Sequence, residues 1–438
     1  MQNEDIPRRI AIIGSGISGL TSAYLLARRH QVTLFEANDY LGGHTATVDV
    51  PIDGKNVAVD TGFIVFNDRT YPNFIELMQR TNVEIQATEM SFSVHNQATG
   101  LEYNGHSVST LFAQRRNIFN LQFYRFIREI LKFNALAKQC AQEGVDQQLA
   151  TLGEFLDKHE FSDYFADHYI LPMVAAIWSA SINSCREFPF SFFLRFFNNH
   201  GLLDIRNRPQ WYVIKGGSRS YIPALTEALT DIRLSTPVQS VRRIDGKVEI
   251  TSDEQGTGSS VALFDDVIFA CHSDQALHLL SDATAAEQNI LGRMAYCKNE
   301  VVLHTDDKML PKAKKALASW NYWLDSNSSD LPSVTYSMNI LQGLDTESAV
   351  CVTLNRTADI APEKILRQFT YAHPVFTSDS IAAQKQRSEI CGQQHTHFCG
   401  AYWANGFHED GVKSALDICL RFDESIAREP RPQASGEL

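Results

Sequence analysis

Ile10-Ala11-Ile12-Ile13 runs straight into Gly14-Ser15-Gly16-Ile17-Ser18-Gly19, and Val32-Thr33-Leu34-Phe35-Glu36 follows one helix-length later. The first four residues are continuously apolar, which marks a strand covered on both faces. From Ile17 to His30, Leu20, Tyr24 and Ala27 recur at helical spacing, so a helix is expected there. A second strand, Val32 to Phe35, then ends at Glu36. Strand, G-x-G-x-x-G, helix and strand make the βαβ unit that holds a dinucleotide. Gly14 permits the tight turn, Gly16 lets backbone approach a pyrophosphate, and Gly19 lets helix pack closely on strand. The helix N-terminus offers unpaired N–H groups to the phosphates. Glu36 lies about 17 residues beyond Gly19, where an acid takes ribose hydroxyls. It also disfavours a 2′-phosphate, which wants an arginine. A glycine turn that binds nothing does not explain why three glycines and the acid coincide.

Working outward, Leu41-Gly42-Gly43-His44-Thr45 supplies a second glycine pair where backbone can approach the far side of the same ligand. An extended run follows from Asp60 to Phe66. From Tyr71 to Leu203 the pattern becomes mostly helical and rich in phenylalanine. Strand signals return at Trp211–Ile214, near Val238 and at Val267–Phe269, with Gly216-Gly217 and a short helix between. Residues 290–390 mix strands and helices; Cys399 ends a strand, and an amphipathic helix is expected from Val412 to Ala427. The expected fold class is α/β: a Rossmann-type dinucleotide domain interleaved with a mixed α+β substrate domain. Residues 1–75, 205–285 and 390–430 would form the first, 76–204 and 286–389 the second, with 431–438 a disordered tail.

Gly400-Ala401-Tyr402-Trp403-Ala404-Asn405-Gly406-Phe407-His408-Glu409-Asp410-Gly411 reads as a strand-exit loop leading into a helix, a second positive helix end. With Glu36 and Gly42-Gly43, this segment resembles the flavin amine-oxidase and phytoene-desaturase superfamily, whose two-domain architecture binds FAD. Trp211 to Gly217 resembles that superfamily's middle segment, and Val238 stands where a backbone contact to adenine is usual. The resemblance implies a cofactor-binding set of Gly14, Ser15, Gly16, Ile17, Ser18, Gly19, Glu36, Ala37, Gly42, Gly43, His44, Thr45, Gly62, Phe63, Val238, Gly400, Gly411 and Val412. His44 is a departure, since arginine commonly follows the glycine pair. Val301–Asp306, Ser319–Tyr322, Thr335–Asn339 and His373–Phe376 resemble strings of a bacterial group of NAD/FAD-binding proteins. That group is similar to the N-terminal domain of plant cyclopropane fatty-acid synthases. It implies a fatty-acyl or other lipid substrate, and a fatty-acyl methyltransferase as a partner.

Bulk properties bound the rest. A chain of 438 residues with formal charge -12 lacks the overall basic character of a nucleic-acid binder. Eight cysteines without a CxxC pair read as reduced thiols of a cytoplasmic protein. No signal peptide is legible, and the uncharged stretch Tyr169–Cys185 falls short of the roughly 18–20 apolar residues a spanning helix needs.

Several weaker patterns remain. Arg115 to Lys138 alternates cations with aromatics, as a helix on an anionic membrane face would, or a core helix with a charged side. Six phenylalanines between Phe188 and Phe197 suit an acyl tunnel or, more simply, a core. Cys391, His395, His397 and Cys399 fit no zinc module, so no metal is expected. His304, Asn321, Tyr336, Tyr402 and His408 are candidates for the flavin-facing cavity, with His408, Tyr402 and His304 the candidate bases. The expected reaction is hydride transfer from an acyl chain or other lipid to flavin, of desaturase or dehydrogenase type. The alternatives are a flavin amine oxidase, a flavin-dependent isomerase, or a lipid-binding partner of a methyltransferase.

Overall fold

The computed structural model describes residues 6–144, 149–204, 207–254, 258–324 and 331–426; the tail expected at 431–438 lies outside them. In chain order the elements that position the site are β1 (Arg9–Ile13), α1 (Ile17–Leu26), β2 (Gln31–Phe35), α2 (Pro72–Arg80), β3 (Phe92–Asn96), β4 (Leu101–Asn104), α3 (Leu121–Glu143), α4 (Leu171–Trp178) and α5 (Phe190–Asn199). They continue as β5 (Asp231–Arg233), β6 (Asp266–Phe269), β7 (Tyr296–His304), β8 (Trp320–Leu324), β9 (Ser333–Ser337), β10 (Cys351–Leu354), β11 (Ile365–Pro374), β12 (Thr396–Phe398) and α6 (His408–Cys419).

β1 carries Ile10, Ala11 and Ile12 at zero exposure, as a strand covered on both faces must. It is the middle of a five-stranded, wholly parallel sheet of order β5-β2-β1-β6-β12. The chain leaves β1 through α1 to β2 on one side and pairs with β6 on the other, so the strand order reverses beside β1. That reversal is where α/β sheets bind ligands, outside the carboxyl ends of the strands. α1 ends at Leu26, a turn earlier than the periodicity suggests, and the glycine of α6 that packs on it stands at Gly411. A Cβ there would lie 2.7 Å from Ile17 Cγ2.

A second sheet of seven strands, ordered β11-β7-β10-β9-β8-β3-β4, is antiparallel except where β8 runs parallel to β3. Here the expectation of helix from Tyr71 to Leu203 is corrected. Ile85–Thr88, β3 and β4 are strands, because partners distant in sequence (Trp211–Ile214 for the first, β8 for β3) supply ladders that local propensity does not reveal. The run Asp60–Phe66 is also not one strand. Asp60 closes the hairpin Thr47–Ile52/Lys55–Asp60, Phe66–Asn67 pairs with Trp211–Tyr212, and residues 61–65 run between them outside any strand, with the Thr61 and Phe63 N–H groups donating to Ala46 O and His44 O.

Behind the second sheet lies a phenylalanine core. Phe188, Phe190, Phe192, Phe193, Phe196 and Phe197 are all at most 4% exposed, alongside Phe123, Phe126 and Phe133 of α3. The six are core and do not line the cavity described next. All eight cysteines are free and none is exposed. No helix among the described residues is long and apolar enough to cross a membrane.

Candidate active site

A cavity of about 1010 Å³ opens at the carboxyl edge of the parallel sheet. The exits of all five strands line it: Gly14–Ser18 after β1, Glu36–Asn38 after β2, Thr236–Val238 after β5, Ala270–His272 after β6, and Gly400–Tyr402 after β12. Gly14 has φ +100°, and a Cβ on it would press on the Ala270 backbone at 3.1 Å. A Cβ on Gly16, by contrast, would meet nothing within 4 Å, and one on Gly43 would face Gly16 Cα at 3.3 Å. Bare backbone thus borders the cavity from two sides, beside the unpaired N–H groups of the first turn of α1. These features fit the pyrophosphate of a dinucleotide.

Glu36 is 6% exposed and already satisfied. Its Oε2 accepts from Ser15 N–H (3.0 Å) and Ser15 Oγ (2.6 Å); its Oε1 accepts from Asn38 N–H and Asn38 Nδ2 (both 2.9 Å). A carboxylate has about four acceptor directions, so a ribose hydroxyl would reach Glu36 only by displacing one of the two side-chain donors.

Past the cradle the wall turns aromatic and imidazole-rich. The His44 ring lies 5.9 Å from His272, 5.6 Å from His373 and 5.1 Å from Tyr371, and His272 stacks on Tyr296 at 4.4 Å. Burial, with the neighbouring imidazoles, pushes His44 down to about 3 and His373 down to about 4, and burial lowers His272 as well. These rings are therefore neutral, and His44 Nε2 is buried without a hydrogen-bond partner. His373 Nδ1 is 3.0 Å from Ser179 Oγ, whose backbone is held at φ 51° where α4 ends. The chamber beyond is walled by Trp178, Trp320, Tyr336, Leu354, Phe376 and Phe407. Trp178 Nε1 donates to Asn405 O (3.3 Å), tying α4 to the loop before α6. No lysine or arginine is among the residues that line the cavity, and its two carboxylates, Glu36 and Asp274, both follow parallel strands.

Of the residues singled out from sequence, Gly14, Ser15, Gly16, Ile17, Ser18, Glu36, Ala37, Gly42, Gly43, His44, Gly62, Phe63, Val238, Gly400, Tyr402 and His408 all line the cavity, as does Tyr336. Others are placed elsewhere. Gly19 packs α1 on the first turn, where a Cβ would come within 2.0 Å of Gly14 O. Thr45 stands behind the wall, hydrogen-bonded to Tyr221 and His408. Gly411 and Val412 are corrected: α6 begins at His408, so these two face α1 and the core. His304 is corrected too. It is fully buried in β7, with Nε2 2.7 Å from Thr353 Oγ1 and Nδ1 accepting from Asp306 N–H, and it does not reach the cavity. Asn321 is likewise a core residue, bonded to Ser93, Ala318 and Thr335.

His408 stacks on Phe63 at 3.5 Å with the rings 10° from parallel, and its Nε2 is 3.2 Å from both Thr45 Oγ1 and Tyr221 OH. Burial holds it neutral, well below the usual imidazole range. The Tyr402 hydroxyl is buried without a partner, and burial keeps it protonated. Sequence reasoning passed over His272, Tyr371 and Tyr296, and named His373 only within the string His373–Phe376. His272 had a signal, since it follows the carboxyl end of a parallel strand; Tyr371 and His373 share one face of β11 by alternation. Among the described residues no His, Cys, Asp or Glu cluster suits a metal ion. His395 and His397 instead each lie 3.4 Å from Asp266.

A family model described as flavin containing amine oxidoreductase matches residues 17–419. Among curated relatives, an L-amino acid oxidase of Cerastes cerastes is 44% identical over 48 residues, 11% of this chain and 9% of that one. A carotenoid phi-ring synthase of Chlorobaculum tepidum is 39% identical over 66 residues, 15% of this chain and 10% of that one. The chain thus matches only about a tenth of the length of these relatives. Solved structures match far more completely. A putative protoporphyrinogen oxidase from Exiguobacterium sp. 255-15 superposes with TM-score 0.66 at 17% identity, covering 95% of this chain and 98% of that one. A CLA-producing fatty acid isomerase from P. acnes gives 0.65 at 15% identity, covering 95% and 98%. Cyclohexylamine oxidase from Brevibacterium oxydans IH-35A gives 0.65 at 16%, covering 95% and 100%. At these identities the likeness is one of fold.

Proposed function

The chain belongs to the flavin-containing amine oxidoreductases, enzymes that work with FAD, and on that footing we propose that it oxidises an apolar substrate, a fatty-acyl chain or similar lipid. FAD, when bound, supplies the hydride-accepting centre. One observation carries the reading: the chamber beyond the nucleotide cradle is walled by aromatic and aliphatic side chains, with no cation and no carboxylate of its own. An amino-acid substrate would leave its carboxylate without a countercharge there, and burying an unpaired charge is costly. An acyl chain needs only shape and exclusion of water.

Dehydrogenation also removes a proton. His408 is the base in this proposal: its imidazole is neutral and so free to take a proton, and its ring is held in place at Nε2 by the hydroxyls of Thr45 and Tyr221. Tyr402, kept protonated, serves as a hydrogen-bond donor to the bound cofactor or substrate.

The test is anaerobic titration of the FAD-loaded protein while following oxidised-flavin absorbance. Acyl lipids should bleach it and primary amines should not; bleaching by amines alone would replace this reading with amine oxidation. His408→Gln should keep the flavin spectrum and slow reduction about 100-fold, the usual scale for a lost acid–base group.

A further inference from the structure

The helix that the sequence marks as basic and aromatic has two apolar faces, and the core uses only one of them. Phe123, Phe126, Phe133, Ala137 and Cys140 of α3 are buried. On the opposite side Leu121, Tyr124, Arg128 and Leu131 follow one another at three- and four-residue spacing, and all are exposed. Leu121 is 85% exposed, Phe119 just before it 90%, Ile118 45% and Val108 74%. Among the described residues, six of the fourteen exposed large hydrophobic ones therefore fall between residues 108 and 131, including the two most exposed of them. Clusters of that kind on a surface mark a place of interaction.

The charge around them is one-sided. Residues 103–128 carry Arg115, Arg116, Arg125 and Arg128 and no Asp or Glu, in a chain whose net charge is -12; Glu129, the next residue, is buried and lies 3.9 Å from Arg125. Arg115 and Arg128 have no ion-pair partner among the described residues. A second basic segment joins the same face: Lys315 Nζ donates to Ser109 Oγ (3.1 Å), beside Val108, and Lys312 and Lys314 are exposed next to it. Exposed aromatic and aliphatic tips flanked by cations are complementary to an anionic bilayer. Its headgroups pair with the cations while its interfacial layer takes the apolar tips.

We propose that residues 108–128, with Lys312–Lys315, form a membrane-docking face that seats the protein on anionic lipid. Phe119 and Leu121 enter the interface, α3 lies along it, and its buried face stays in the core. This surface stands apart from the cavity, so the proposal does not depend on which substrate the chamber takes.

The test is flotation of full-length, FAD-loaded protein with phosphatidylcholine vesicles, with and without phosphatidylglycerol. The protein should float only with the anionic vesicles and should be released by salt. Replacing both Phe119→Ser and Leu121→Ser should lower partition about thirtyfold, since two large apolar groups are lost from the interface. Arg115→Ser with Arg128→Ser should also lower it about thirtyfold. Flavin absorbance and melting temperature should stay unchanged in both, because the side chains are exposed. Equal binding to neutral and anionic vesicles, or no binding, would overturn the proposal. So would a dimer on a sizing column that dissociates in the Phe119/Leu121 variant, which would assign the face to a second copy of the chain.

Discussion

The two ends of the cavity are built on opposite principles. The nucleotide cradle is made of absence: glycines whose missing side chains let backbone and helix N–H groups face a ligand, with Glu36 held in place by Ser15 and Asn38. The chamber is made of bulk, with Trp178, Trp320, Tyr336, Phe376 and Phe407 brought together from distant segments. Binding is generic in the first and selective in the second. A change in the cradle should therefore act on cofactor retention or on folding outright, and a change in the chamber on packing and substrate.

The largest effect expected from this contrast is Gly19→Val. Its side chain would have to occupy the space of the Gly14 carbonyl, 2.0 Å from the first added carbon, so no folded protein should be recovered on expression. Trp178→Ala should cost about 3–5 kcal/mol of stability by denaturant titration, because a buried ring packed against Phe188 and Phe196 (4.6 Å each) is removed. Its FAD affinity should match the parent's; a chamber variant that lost FAD would erase the distinction. Gly16→Val reverses that pattern. Space for the new side chain exists, so melting of the FAD-free protein should hold within a degree or two, while FAD affinity falls about 100-fold through exclusion of the pyrophosphate.

Acid should separate the two ends least strongly but most simply. His44 and His373 have native values near 3 and 4, below the ordinary 6.5. A histidine depressed in the native state gives stability that is present above 6.5 and lost as pH falls, because only the unfolded chain takes the proton. At pH 5.5 the pair should cost at most about 3 kcal/mol, reduced by water in the open cavity. Thermal melts of the FAD-free protein between pH 7 and 5.5 should show the loss, and His373→Gln should flatten the slope. The cradle's glycine backbone, having no titrating group, should add nothing to it.

The same contrast explains what could be read from the chain. Ile10–Glu36 is a local pattern whose parts constrain one another within thirty residues, and the parallel strands and glycine turn appear where its spacing puts them. The start of α6 was misplaced by four residues. Asp410 Oδ2 accepts the Phe407 and Asn405 N–H groups and so closes the helix start at His408, an acid in the first turn that marks a beginning rather than a loop. The chamber was legible only in fragments. His373 meets Ser179 and His44 meets His272 because strands pair across hundreds of residues, and no local periodicity records which register they adopt. His304 looked like its neighbours in the sequence, but its strand turns it toward Thr353 and away from the cavity.

The parallel sheet has a consequence in time. β1 and β2 are complete by residue 35, yet the strand that flanks β6, Thr396–Phe398, is made about 360 residues later. At about 5–20 residues per second that delay amounts to roughly 20–70 s. For that interval the nascent chain presents a parallel sheet that lacks its outer strand. The wall of the cavity that follows β12, Gly400–Tyr402, is therefore in place only once that strand has joined the sheet.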